Sequence, residues 1–155
     1  MNTLLLTYRF ETICDPAPEM REAVNVELRQ FNRTANPDFY EALSQPENEA
    51  KPLNIFVFDQ EDQVCGGLFA ETQFLWLKIS IMAVREDLRG KGIGAELLKM
   101  AEVKAVQRGC KYAFVDTMDY QAPTFYLKLG YRVVCQLDNW DSHGHSKFFL
   151  RKELP

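Results

Sequence analysis

The sequence is short of the residues that build metal centres. Its four cysteines (Cys14, Cys65, Cys110 and Cys135) lie far apart with no C-x-x-C pair, and its histidines are only His143 and His145. The spacing of a zinc site is therefore missing, no disulfide framework is called for, and no metal is expected. No apolar run approaches the roughly 20 residues of a membrane span. Met1–Phe10 also lacks a basic start followed by a long apolar stretch, so neither a membrane segment nor a signal peptide is expected, and the cytoplasm is the expected location. Positive charge is not in excess either. The formal net charge of −4 has the wrong sign for holding nucleic acid by phosphate neutralisation, and a small cationic ligand suits it better than a polyanion. No segment repeats and none is low in complexity.

What is present is ordinary globular composition. With 155 residues, of which 46% are hydrophobic and 26% charged, the chain is long enough for one domain, 1–155, with a sizeable core. Leu4–Phe10 reads as a first strand. Asp15, Pro16 and Pro18 mark a helix start, after which Met20, Val24, Leu28 and Phe31 recur on one helical face. Asn32–Pro52, rich in Asn, Pro and Glu, reads as an internal loop or a loose helical excursion.

Beyond it, Leu53–Phe58 and Val64–Ala70 flank the polar turn Asp59–Gln63 and predict a hairpin, and a third run, Phe74–Val84, follows. Arg89–Gly94 then opens a helix with Ile93, Leu97, Leu98, Ala101 and Ala105 on its apolar side and Gly109 at its end. Tyr112–Asp116 is a buried strand. A short helix between Pro123 and Gly130 carries Phe125, Tyr126 and Leu129. Two last strands, Tyr131–Leu137 and Lys147–Arg151, enclose the turn Asn139–His145. The expected class is α/β, a mixed and mainly antiparallel sheet flanked by helices.

The chemistry concentrates in Arg89-Gly-Lys-Gly-Ile-Gly94. Glycines at 90, 92 and 94 allow a sharp turn that presents main-chain N–H groups at a helix N-terminus, where a phosphate is favoured, and Arg89 and Lys91 add charge beside it. Ala95 and Glu96 exclude a nucleoside-triphosphate P-loop. The G-x-G-x-G spacing excludes the dinucleotide fingerprint. The segment resembles the R/Q-x-x-G-x-G/A pyrophosphate loop of the GNAT N-acetyltransferase superfamily. Its surroundings agree: I81-M-A-V84 before it, Y112-A-F-V-D116 after it, and A122-P-T-F-Y-L-K-L-G-Y131, which is similar to the family's A-x-x-F-Y-x-K-x-G-F/Y signature. The resemblance runs from about Leu53 to the C-terminus.

The resemblance implies a sheet whose central strands splay apart and hold acetyl-CoA as cosubstrate in the gap. Carried over residue by residue, it implies that Met82, Ala83 and Val84 meet the pantetheine arm and that Arg89, Gly90, Lys91, Gly92, Ile93 and Gly94 hold the pyrophosphate. Tyr126 falls where many relatives protonate the departing thiolate, beside the cofactor. Asp119 stands where many relatives carry a cofactor-contacting asparagine. For the base that takes the amine's proton, Glu71 at the end of its strand is the candidate. On the acceptor side the candidates are Trp76, as a cation-binding aromatic, Asp116, which also competes for the base role or caps the next segment, and His143, with His145 beside it, in the H-G-H turn.

The expected activity is acetyl transfer from acetyl-CoA to a small, cationic amine by direct attack in a ternary complex. The partners expected are therefore a small-molecule amine and no nucleic acid or membrane, with a homodimer as the expected assembly. The rival expectations are an acyl-CoA-binding regulatory module without turnover and an acetylating toxin acting on charged tRNA. Tyr126 speaks against the first. The acidic balance speaks against the second.

Overall fold

The computed structural model describes residues 8–155 and divides them into two compact units, one up to Pro46 and one from Glu47 to Pro155. In the first unit α1 (Pro18–Ala35) and α2 (Pro37–Leu43) follow each other almost without a break. Asn36 is the hinge. It ends α1, and its side chain accepts the N–H of Phe39 at 3.2 Å to cap α2, whose first residue is Pro37. Of the two readings of 32–52, a loop or a loose helical excursion, the structure shows the helical one, the Asn/Pro punctuation being a helix stop and a helix start. A one-turn 3-10 helix, Pro46–Asn48, and the first residues of a strand take up much of the rest of that stretch. The expected strand Leu4–Phe10 lies outside the described residues for its first four positions, and Tyr8–Phe10 have no regular structure.

The second unit is a six-stranded sheet in the order β1-β2-β3-β4-β6-β5, with β1 Lys51–Phe58, β2 Val64–Gln73, β3 Trp76–Val84, β4 Tyr112–Met118, β5 Arg132–Leu137 and β6 Lys147–Glu153. β1 to β3 form an antiparallel meander, β4 to β6 are antiparallel to one another, and the two halves meet only through the parallel pair β3–β4. β2 runs three residues further than the alternation predicts, because Phe74 takes a positive φ of 50° and turns the chain in two residues. The expected mixed sheet flanked by helices is present.

Between β3 and β4 runs α3 (Ile93–Gln107), whose Leu97, Leu98, Ala101 and Ala105 are buried against Leu68, Leu77, Ile79, Ala113, Val115 and Leu150 of the sheet. Each fully buried leucine contributes roughly 1.5–3 kcal/mol. The parallel pairing demands such a crossover, and its helix covers one sheet face. Arg108 at its end donates to the carbonyls of Lys51 and Pro52, both at 3.2 Å, and to the Thr72 hydroxyl at 3.0 Å, tying α3 to β1 and β2. The short α4 (Pro123–Lys128) buries Tyr126. Cys65 and Cys110 are buried and Cys14 and Cys135 exposed, all four as free thiols.

Candidate active site

β3 and β4 are paired from Trp76↔Tyr112 to Ile79↔Val115 and no further. Past that point β3 keeps β2 as its partner and β4 keeps β6, so Ser80–Val84 and Asp116–Met118 face each other across a gap with unpaired strand edges. A bulge helps to open it. In the β2 register Ile79 stands opposite Ala70 and Ile81 opposite Phe69, leaving Ser80 without a partner residue, and its hydroxyl donates to the Phe69 carbonyl at 3.0 Å. An extra residue increases local twist and bends the strand, here at the residue where β3 leaves β4.

The gap is a cleft of about 790 Å³ lined on one side by Ile79–Val84, on the other by Val115–Thr117 and Tyr120–Ala122, at one end by Leu88–Gly90 and Gly92–Ala95, and by Phe125 and Tyr126. After β3 a one-turn 3-10 helix, Glu86–Leu88, leads into the glycine loop. Gly90 and Gly92 adopt φ of +75° and +86°, and a Cβ at either would meet nothing within 4 Å. Left-handed φ is what excludes other residues there, and the empty space leaves the main chain open to a ligand. Gly92 is the N-cap of α3, so the first free N–H groups of a 15-residue helix open toward the cleft. Arg89 folds back to donate from Nε to the Val84 carbonyl at 3.1 Å. Arg85 holds the end of β3 in place through Asp59 at 2.9 Å and Asp87 at 2.8 Å.

An extended polar arm with an acyl thioester at one end and a pyrophosphate at the other fits this cleft. The unpaired edge Ser80–Val84 offers peptide groups for the arm, and the glycine turn offers uncrowded amides for the phosphates.

Tyr126 lies against Phe125 and Tyr131, with ring centroids 5.1 and 5.6 Å away. Burial and the nearby Asp116 carboxylate push its phenol up to about 12. The group is therefore a neutral O–H donor at any working pH, with no hydrogen-bond partner among the described residues. Asp116 lines the cleft and pairs with Lys147 Nζ at 2.7 Å. That ammonium also lies over the rings of Trp140 at 5.0 Å and Phe149 at 5.6 Å. Capping of the segment after β4 falls to other groups. Gln121 Oε1 accepts the Met118 N–H at 2.8 Å and the Thr117 hydroxyl at 3.2 Å, and Thr117 Oγ1 accepts the Ala122 N–H at 3.4 Å.

The structure thus brings together Met82, Ala83, Val84, Arg89, Gly90, Gly92, Ile93, Gly94, Asp116 and Tyr126. Five other residues singled out by the sequence lie off the cleft lining. Lys91 is exposed on the outer side of the loop. Glu71 is inside β2, opposite Lys78 and paired with it at 3.6 Å. Trp76, at the start of β3, packs against Tyr112 with ring centroids 4.9 Å apart and the planes tilted by 38°, and the Arg151 guanidinium lies 5.9 Å from its ring. His143 is held in its own turn, its N–H on Asp141 Oδ1 and its Nδ1 at the Asp141 carbonyl, both at 2.8 Å.

Asp119 turns toward the last hairpin, accepting the Ser146 N–H at 2.9 Å and His145 Nδ1 at 2.9 Å. Those bonds, the Ser146 N–H first, hold its carboxyl below the ordinary carboxylate range. Sequence reasoning passed over Ser80, Thr117, Tyr120, Gln121 and Phe125 as site residues, although D116-T-M-D-Y-Q-A-P, polar and aromatic directly after a buried strand, carried the signal.

Comparison with known proteins places this architecture. The family model described as the acetyltransferase (GNAT) domain matches residues 51–133. The blasticidin-S acetyltransferase of Streptomyces morookaense is 31% identical over 131 residues, covering 82% of this chain and 96% of that protein. An acetyltransferase of Agrobacterium fabrum is 37% identical over 108 residues, 70% of this chain and 78% of that one. Among solved structures, an acetyltransferase from Bacillus cereus superposes with a TM-score of 0.74 at 27% identity, covering 93% of this chain and 98% of the other.

Proposed function

The chain belongs to the GNAT acetyltransferase family, whose cosubstrate is acetyl-CoA, and from that premise we propose that the whole chain, 1–155, is one N-acetyltransferase domain acting on a small cationic amine. The amine nitrogen attacks the thioester directly while both substrates share the cleft, with no covalent intermediate on the protein. The observation that carries this reading is the fork after Ile79 and Val115, with an open glycine turn at one end and an unpartnered, protonated Tyr126 in its wall.

Acetyl-CoA supplies an activated acyl group on a sulfur leaving group. The protein supplies position and hydrogen bonds. Amides of Gly90–Gly94 face the phosphates, the edge Met82–Val84 aligns the pantetheine arm, and the Met82 N–H serves the thioester carbonyl. Tyr126 donates a hydrogen bond to the departing sulfur. Full proton transfer from a phenol at about 12 to a thiolate of ordinary pKa is uphill by about 5 kcal/mol, so stabilisation of the developing charge is the larger part of its role. Asp116, whose Oδ2 is held by Lys147, offers Oδ1 to the cationic acceptor on the other side of the fork. A small-molecule acceptor is supported by the Streptomyces relative, a blasticidin-S acetyltransferase.

The test is thiol release and product mass with purified full chain, acetyl-CoA and a panel of amines. Cationic primary amines should be acetylated, faster as pH rises and the free amine grows. Binding of CoA without turnover of any amine, or turnover only of hydroxyl compounds, anionic amines or tRNA, overturns the reading.

A further inference from the structure

Asp116 near the end of β4 and Asp119 just beyond it are tied to Lys147, the first residue of β6, and to His145, two residues before it. Asp116 holds Lys147 at 2.7 Å and Asp119 holds His145 Nδ1 at 2.9 Å. Asp119 is linked to Ser146 in both directions as well, its carboxylate accepting that residue's N–H and its own N–H donating to the Ser146 carbonyl, each at 2.9 Å. The His145 ring stands edge-on to Tyr120, centroids 4.9 Å apart, and Tyr120 lines the cleft. The imidazole is therefore one aromatic ring away from the cleft.

Its chemistry is set by its partner. Bonded to an ionised Asp119, Nδ1 must carry the proton, which leaves the lone pair on Nε2, and no hydrogen bond among the described residues engages Nε2. A carboxylate that orients an imidazole and stabilises its protonated form is the arrangement a general base needs. The other charged and titratable groups around it are Asp141, whose carboxylate accepts the His145 main-chain N–H at 3.1 Å, Asp138 on the Ser146 hydroxyl at 3.0 Å, the Asp116–Lys147 pair and the Tyr120 phenol.

We propose that His145, oriented by Asp119, is the group that takes the proton from the acceptor amine. This rests on the acetyltransferase reading above. As the nitrogen–carbon bond forms and the carbon–sulfur bond breaks, the sulfur leaves with the bonding pair as a thiolate that accepts a hydrogen bond from Tyr126 and takes its proton from solvent. The nitrogen gives up one proton to Nε2 through water. Imidazolium then loses that proton to solvent. Asp119 is a positioning residue in this scheme, and Glu71 is engaged by Lys78 in the β2–β3 ladder.

The experiment is the pH profile of kcat/KM for the full chain with acetyl-CoA and the best amine of the panel. For wild type the logarithmic slope should steepen from one, set by the free amine, to two at lower pH, where the general base is protonated as well. His145→Gln keeps a donor for Asp119 but has no basic nitrogen, so the slope should stay at one, with kcat/KM at pH 7.5 lower by roughly a hundred-fold and CoA affinity by calorimetry unchanged. Asp119→Asn should move the break to lower pH, because imidazolium loses its counter-charge.

A break that persists in His145→Gln, or a loss equal at every pH with the break retained, overturns the assignment. So does a break removed by His143→Gln instead. Should His145→Gln fail to fold, an unmoved break in Asp119→Asn overturns it. A wild type that acetylates no amine fails the functional reading, and that outcome is distinct from all of these.

Discussion

Arg89 Nε and the Val84 carbonyl are joined at 3.1 Å, so the glycine loop is fastened to the end of the strand it follows. The amides at the start of α3 are thereby set before any ligand arrives, and preorganisation of this kind lowers the cost of binding. The two loop glycines with positive φ are where this arrangement is most easily broken.

Gly92→Val forces a β-branched residue into φ +86° at the N-cap of α3. CoA affinity should fall at least ten-fold in calorimetry, and the thermal midpoint should drop. Gly94 has ordinary φ, and a Cβ there would meet Phe125 at 3.4 Å, ordinary contact. Gly94→Ala should therefore fold as stably as wild type, its effect on CoA affinity far smaller than that of Gly92→Val.

Tyr126→Phe keeps the rings of Phe125 and Tyr131 packed and removes only the hydroxyl. Turnover should slow by roughly ten- to a thousand-fold with cofactor affinity almost intact, the pattern of a group used mainly in the transition state. Because burial raises the phenol to about 12, ultraviolet titration up to pH 11 should give the same count of ionising phenols in wild type and variant. An extra phenol ionising in wild type below pH 11 contradicts the buried, neutral Tyr126.

Lys152 Nζ meets Glu102 Oε2 at 2.6 Å beneath the Tyr131 ring, linking β6 to α3. Burial and the neighbouring Glu102 push the Tyr131 phenol up. Lys152→Met strands a largely buried carboxylate and should cost about 2–3 kcal/mol in urea unfolding. Glu102→Gln with Lys152→Met removes both charges and should recover part of that loss.

The last hairpin should loosen in acid. Asp119 and Asp141 have carboxyls held below the ordinary value of 3.8, by the Ser146 N–H in the first case and the His143 N–H in the second. A depressed folded pKa gives stability that is complete above the unfolded value and is lost as pH falls below it. Protection of the His143, His145 and Ser146 amides against exchange should fall below about pH 4 before that of the core amides of α3 does.

The sheet and its glycine turn were legible because each has a local signature. Alternation of Leu77 and Ile79 with Trp76 and Lys78, the triplet Gly90, Gly92 and Gly94, and Phe125–Tyr126 before Gly130 all state their geometry within a few residues, whereas Ile81, expected on the same core face, is exposed past the Ser80 bulge. The partner of each side chain was not legible. Trp76 reads as a free aromatic until β6 brings Arg151 over it, and Asp119 reads as a cofactor contact until Ser146 and His145 close on it. Those partners lie more than twenty residues away in sequence, and only tertiary pairing reveals them. Asn36 and Pro37 left loop and helical excursion both open for a different reason, since the residues that punctuate loops also cap helices.

The parallel ladder of β3 and β4 has a consequence for the order of assembly. The β1–β2–β3 meander closes through short turns and has few degrees of freedom to lose, whereas Trp76 finds Tyr112 only after the whole stretch containing α3 has been organised. The fork cannot exist before that step. Refolding should therefore pass from a meander that buries Leu68 and Leu77 incompletely to a native state in which α3 docks and the cleft appears together, so that ligand binding reports on completion of the fold and not on its early collapse.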